Sequence, residues 1–231
     1  MIREENTIRL ENPGFVSLMA SEATDLSVIN SARVSFGKKQ EELKPGDEKL
    51  INFLLTNRHG TPFEHNFFQF HIKCPIFVAR EWFRHRIGSF NEISMRYSQP
   101  EIEFFIPLLK DIRTQVGKPG AYSFETFEDA AIALEWIDRV FQLCETSKEL
   151  YLWAIENGIA KEQARIVFPV NIYTEFYWSI NARSLMNFLS LRNSEHAMKE
   201  IRDFAVALEI IFSEEMPFTY QSFIGNGRIA P

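Results

Sequence analysis

Cysteine is scarce in this chain: Cys74 and Cys144 are the only two in 231 residues. Neither stands in a C-x-x-C pair or another metal-ligand spacing, which excludes a disulfide framework and a zinc-thiolate site. Both read as small core residues, Cys74 in an alternating strand and Cys144 on a helix. An excess of positive charge is also missing, since 25 Lys and Arg against 31 Asp and Glu leave a net charge of -6 and a pI near 5.5. Affinity for nucleic acid or for an anionic membrane needs a basic face that this balance does not supply. No apolar run approaches the roughly 18 to 20 residues of a membrane span, and Met1-Ile2-Arg3-Glu4-Glu5 lacks a signal peptide's apolar stretch. The expectation is a cytoplasmic protein with no nucleic-acid and no membrane partner.

What the chain does have is apolar bulk, with 45% hydrophobic residues and 22 phenylalanines. That is enough for one full core, read here as a single domain over residues 1–231, and aromatic residues are also favoured at subunit contacts. Asp25 is expected to cap a helix over 26–36, ended by Gly37, and Asp47 a second one stopping near His59-Gly60; residues 38–45 read as a polar linker. Strict alternation predicts half-buried strands over 68–74 and 171–180. Helices are expected over 76–84, 127–157 and 161–168, then from Asn181 through Leu191, and over 194–212, where Pro217 forbids continuation. Residues 111–124, marked by glycine and proline and without periodicity, read as a mobile surface loop. The order implies an α+β fold, with segregated helices around a small, mainly antiparallel sheet.

Cationic charge is gathered locally against the acidic trend in Arg84-His85-Arg86-Ile87-Gly88-Ser89-Phe90-Asn91-Glu92-Ile93-Ser94-Met95-Arg96-Tyr97. Alone, such a segment is more often a solvated surface or a nucleic-acid contact than a small-molecule site. Three further stretches stand out. His59-Gly60-Thr61-Pro62-Phe63-Glu64-His65 lies between a helix and a strand and by itself reads as a capped loop. Ala164-Arg165-Ile166-Val167-Phe168-Pro169 places one arginine in an apolar helical segment, by itself a snorkelling or ion-paired residue. In the segment from Asn181 to Arg192, Arg183 and Asn187 are four apart on one helix face while Leu185, Phe188 and Leu189 face the core. The regular spacing of His59, His65 and His71 raises a metal site. Within one strand, however, His65 and His71 would stand about 20 Å apart at ~3.3 Å per residue, too far to share an ion.

The R-H-R-x7-S spacing from Arg84 to Ser94 resembles the signature of the flavin-dependent thymidylate synthases. H-x-T-P-F-E-H, A-R-x-x-x-P and N-A-R-S-L-x-N-F-x-x-L-R resemble that family's other motifs in the same order. The resemblance spans residues 35–192. It implies conversion of dUMP to dTMP with 5,10-methylenetetrahydrofolate as carbon donor, FAD as the hydride-carrying cofactor and NADPH as its reductant. It also implies a homotetramer whose active sites are built from several subunits. Flavin contacts would come from Thr61, Glu64, Arg84, His85, Arg86, Glu92, Asn181, Arg183 and Asn187, with His59 and Ser35 close by. Substrate contacts would come from Arg84, Glu92, Ile93, Ser94, Met95, Arg96 and Arg165, with Arg96, Arg165 and Ser94 meeting the phosphate.

Family members do without the cysteine nucleophile of the other thymidylate synthases, so C5 of the uracil must be activated by stabilising negative charge on the ring. By resemblance that is the task of Arg192, a fixed cation in a water-poor site. Two positions depart from the family pattern. Glu81, also in the substrate set, stands where many relatives have glutamine, and its carboxylate would repel a phosphate unless an arginine pairs it; Met95 replaces a residue that is often small. A non-enzymatic nucleic-acid binder and a different flavoprotein on the same scaffold are the competing readings.

Overall fold

The computed structural model describes residues 1–118 and 121–231. The chain divides into two compact units, one of Met1–Cys74, Val78–Glu92 and Glu175–Pro231, the other of Pro75–Phe77 and Ile93–Thr174. The fold is α+β, as the sequence implies.

The first unit is organised on a sheet of β1 (Ile2–Glu4), β2 (Thr7–Arg9), β3 (Phe15–Ser21), β4 (Phe68–Pro75), β5 (Ser89–Glu92) and β8 (Tyr173–Ile180). Its strands run in the order β1-β2-β3-β4-β8-β5. The pairings of β1 with β2, β2 with β3, β3 with β4 and β5 with β8 are antiparallel. The alternation expected from the sequence is realised in full on β4, where Phe68, Phe70, Ile72 and Cys74 are all buried. On β8 the buried set is Thr174, Phe176, Trp178 and Ile180, with Tyr173 at its start buried as well. With six strands the sheet is larger than the two strands the alternation reveals, because β1, β2 and β5 have only three or four residues and β3, with seven, shows no period-2 burial.

The helices of this unit are α1 (Asp25–Arg33), α2 (Asp47–Thr56), α3 (Ile76–Trp82), α6 (Ala182–Arg192), α7 (Lys199–Glu215) and α8 (Pro217–Gly225); α7 packs on β3, while α2 packs on α8 and α1. Trp82 of α3 meets Trp178 of β8 edge-on at 5.3 Å and Phe188 of α6 at 4.9 Å. This aromatic block fixes α6 on its Leu185, Phe188 and Leu189 side and leaves Arg183 and Asn187 exposed on the other, the division expected from their spacing.

Several helix ends differ from expectation. The cap of α1 is Thr24, reciprocally bonded with Ser27. Asp25 is instead buried and accepts hydrogen bonds from the Phe218 and Thr219 amides at the start of α8, 2.8 and 2.9 Å away. A long-range use of a carboxylate cannot be told from a local cap by sequence alone. Asp47 is likewise not a cap: it is buried against the Arg33 guanidinium at 2.6 Å and accepts from Gln40 and the Lys44 amide, while Gly46, at φ 96°, takes the cap position. These bonds tie down what reads as a polar linker. α2 ends at Thr56, short of His59-Gly60, and α7 begins at Lys199, five residues later than expected. Pro217 does stop α7, and it also opens α8 as a first-turn proline.

The second unit holds α4 (Ala130–Glu156), capped by Asp129, and α5 (Lys161–Ala164), continued by a 3-10 turn over Arg165–Val167. The expected mobile loop is a β-hairpin of β6 (Arg113–Lys118) and β7 (Ala121–Thr126), paired from Arg113↔Thr126 to Lys118↔Ala121. Its strands are almost wholly exposed on both faces, so no alternating hydrophobicity marks them. Residues 119–120, part of that expectation, lie outside the described residues.

Candidate active-site cleft

Helix α6 begins in a network of side chains that satisfies two of its first-turn amides. Asn181 accepts from the Ser184 N–H at 2.9 Å, as its cap role predicts, and Asn66 Oδ1 accepts from the Ala182 N–H at 2.9 Å. In the same first turn, Arg183 donates through Nε to the Pro231 carbonyl at 2.8 Å and pairs through Nη1 with Glu64. Gly60 makes room for this pairing, because a Cβ there would stand 2.6 Å from the Arg183 guanidinium carbon. The glycine of the His59–His65 stretch therefore serves an arginine more than a hundred residues away.

At the other end of α6, Arg192 is held by three acceptors. Its Nε donates to His85 Nε2 at 3.0 Å, Nη2 donates to the Glu81 carbonyl at 3.1 Å, and Nη1 lies 2.9 Å from Glu81 Oε2. Here is the arginine that Glu81 requires. Since Nε of arginine always donates, His85 Nε2 must be the bare nitrogen and the imidazole proton sits on Nδ1. Burial, and then the Arg192 charge, push His85 down to about 4, so the ring is neutral near pH 7. The ring is further held by Phe188, at 4.7 Å between centroids.

These residues line a cleft of about 710 Å³ that brings together Glu64, Arg84, His85, Arg86, Asn181, Arg183, Asn187 and Arg192. Ile87, Ser184, Leu191, Ala230 and Pro231, for which sequence reasoning proposed no role, complete it. Ser184 and Leu191 sit inside a motif already singled out, but Ala230 and Pro231 carry no local signal. Four arginines in one cleft make a site for an anion such as a pyrophosphate, and the donor set fits FAD.

Ser35, His59 and Thr61 are not brought into this cleft within the chain. They line a second cavity of about 670 Å³ with Arg33, Phe53 and His65. The separation has a local cause: His59 stacks on Phe53 of α2 at 5.8 Å, whereas Glu64 reaches Arg183 of α6. Glu92 ends β5, opposite Phe176.

In the second unit, Ile93 leads into a turn in which the Ser94 carbonyl accepts from the Tyr97 and Ser98 amides, both at 3.1 Å. Ser94 Oγ accepts from the Arg96 amide at 3.3 Å. Arg96 pairs with Glu162 at 3.0 Å and lies over the Tyr97 ring. Met95 packs on Tyr151, Ala154 and Ala164, so this larger side chain is absorbed by a hydrophobic cluster. Arg165 opens its 3-10 turn exposed to solvent.

Among the described residues no three His, Cys, Asp or Glu side chains could hold a metal ion. Both thiols are buried: desolvation pushes Cys74 well up, and it raises Cys144, whose sulfur lies 3.2 Å from Asn171 Nδ2. No helix among the described residues is long and apolar enough to cross a membrane.

The family model described as thymidylate synthase complementing protein matches residues 17–218. The chain belongs to this family. A flavin-dependent thymidylate synthase from Thermotoga neapolitana is 44% identical over 91% of this chain and 91% of its own length. One from Tropheryma whipplei is 41% identical over 94% of each. Among solved structures, a UMP/dUMP methylase from Streptomyces cacaoi bound with 5-Br UMP superposes with a TM-score of 0.86 at 36% identity, covering 94% of this chain and 96% of that one. The same methylase bound with 5-Br dUMP gives a TM-score of 0.84 at 37% identity.

Proposed function

We propose that the chain is a flavin-dependent thymidylate synthase that methylates dUMP to dTMP, using 5,10-methylenetetrahydrofolate as carbon donor and FAD recharged by NADPH. The observation that carries this reading is the α6 cleft, where Arg192 is held by Glu81 and a neutral His85 beside the Arg84-His85-Arg86 turn. Arg84, Arg86 and Arg183 would hold the flavin's phosphates, with Glu64, Asn181 and Asn187 around them; when bound, the reduced flavin supplies a hydride. Arg192 has five guanidinium donors and spends only some of them on His85 and Glu81, which leaves a fixed positive group for the uracil ring. Because that orientation is set in advance, little reorganisation accompanies charge development on the pyrimidine.

Arg96, Arg165 and Ser94, with Glu92, Ile93 and Met95, are proposed to receive the nucleotide. Activation proceeds without a cysteine nucleophile, a reading supported by the burial and raised pKa of both thiols. Both units belong to one synthase domain in this proposal, which works in the cytoplasm as a homotetramer with each active site drawing on several subunits. The long helix α4 supports assembly, since Ile132, Trp136, Leu143, Leu150 and Trp153 all stand at 47% exposure or more. Assembly would also let the Ser35, His59 and Thr61 cavity serve the flavin of a neighbouring subunit.

The test is anaerobic incubation of the flavin-loaded protein with NADPH, dUMP and methylenetetrahydrofolate. The expected product is dTMP. Oxidation of NADPH without dTMP would point to a flavoprotein with another acceptor, and failure to bind FAD would remove both readings.

A further inference from the structure

Glu209 is a carboxylate inside the protein with no part in the chemistry described so far. It lies on α7 at 6% exposure, one of three carboxylates buried among the described residues with Asp25 and Asp47. Asp25 secures the start of α8 and Asp47 secures Arg33. Glu209 gathers donors from three separate elements. Its Oε2 accepts from the Asn193 side-chain amide and from the Arg228 guanidinium, and its Oε1 accepts from the Tyr220 hydroxyl at 3.1 Å. A buried carboxylate is tolerated only when paired and hydrogen-bonded in this way.

Two of those donors lead directly to the cleft. Asn193 is the C-cap of α6 and follows Arg192 in the chain. Arg228, at φ 60°, turns the chain out of α8 and sends it back along α6. The Ser190 hydroxyl lies 2.5 Å from the Arg228 carbonyl, and Arg183 Nε donates to the Pro231 carbonyl at 2.8 Å. The spans match: three residues of extended chain cover roughly 10 Å at ~3.3 Å each, and the seven helical residues from Arg183 to Ser190 cover roughly 10 Å at ~1.5 Å each. Residues 228–231 thus form a strap alongside α6, and Ala230 and Pro231 of that strap line the cleft.

We infer that Glu209 is a positioning residue for the cleft, holding Arg192 in place through Asn193 and Arg183 through Arg228 and the strap. It touches neither flavin nor nucleotide. One carboxylate therefore sets both ends of the helix that carries the flavin-facing and pyrimidine-facing arginines. The inference rests on the cleft being the flavin and nucleotide site.

The two arms separate by variant. In the full chain loaded with FAD, Arg228→Gln is expected to release the strap and raise the FAD dissociation constant about tenfold, with a smaller loss in kcat at saturating FAD. Asn193→Ala should do the reverse, lowering kcat for dTMP formation with FAD affinity nearly kept. Glu209→Gln should show both effects, and adding Arg228→Gln to it should weaken FAD no further. A purely structural role would lower the thermal midpoint of all three without this split. Should Glu209→Gln not fold, the Arg228 and Asn193 variants, at half-buried positions, still decide: wild-type FAD affinity in the first and wild-type kcat in the second would overturn the inference. If the wild-type protein itself binds no FAD or forms no dTMP, it is the reading of the cleft that fails, and the failure is seen before any variant is made.

Discussion

The arginines of the α6 cleft and those of the second unit carry the same charge but are held in different ways. Arg192 is 19% exposed at its side chain and meets a carboxylate, a carbonyl and an imidazole, all on α3 and the turn after it. Arg96 is 48% exposed and meets one carboxylate, Glu162, itself 56% exposed. An arrangement of the first kind, with three acceptors on one guanidinium, is built before any ligand arrives, even though Glu81 itself is 47% exposed. An ion pair of the second kind contributes roughly 0 to 1 kcal/mol and can be exchanged for a phosphate at little cost. Under the proposed function the contrast matches two tasks: activating a ring demands a fixed charge, whereas gripping a phosphate demands one that can let go of its resting partner.

Removing the fixed charge should give the largest effect. Arg192→Ala is expected to lower kcat for dTMP formation by about 10²- to 10³-fold, the range seen when one preorganised donor is deleted. The flavin spectrum should persist, because Arg84, Arg86 and Arg183 remain. Loss of bound FAD in this variant would show that Arg192 belongs to the flavin contacts and would erase the contrast.

A smaller effect concerns how the fixed charge is held. His85 titrates at about 4 in the folded protein against an ordinary 6.5. Between those values the unfolded chain binds the extra proton and the folded one does not, so stability rises with pH across this window. The contribution is complete above about pH 6.5 and is lost progressively as pH falls toward 4. Urea midpoints at pH 7 and pH 5 should therefore differ more for the wild type than for His85→Gln, which has no such proton. Equal differences would mean that burial and the Arg192 charge do not hold the ring neutral.

Much of this cleft was legible in the sequence and some of it was not, for identifiable reasons. Asn181 as a cap and Arg183 with Asn187 on one face follow from helical spacing, and β4 and β8 follow from period-2 alternation. That Glu81 would need an arginine follows from the resemblance, which puts its carboxylate beside a phosphate. Which arginine does not, because Arg192 comes 111 residues later and only the packing of Trp82, Trp178 and Phe188 brings α3 and α6 together. The strap has no periodicity to read, and the β6–β7 hairpin is too exposed to alternate. Asp25 and Asp47 look like caps because a carboxylate before an apolar helix usually is one, yet both serve partners outside their own helices.

The smallest predicted effect tests the loose side of the comparison. Glu162→Ala removes the resting partner of Arg96, and because both side chains are about half exposed the stability change should stay below about 1 kcal/mol. The Met95 contacts with Tyr151, Ala154 and Ala164 hold the turn by packing that does not involve Glu162, so the backbone around Ser94 should keep its place. With the guanidinium released, KM for dUMP should stay the same or fall by up to about twofold, while Arg96→Ala should raise it about tenfold, as expected for a lost charge-assisted bond to phosphate. A rise in KM on Glu162→Ala would mean that the ion pair aims Arg96 at its ligand, which would make this arginine as preorganised as Arg192.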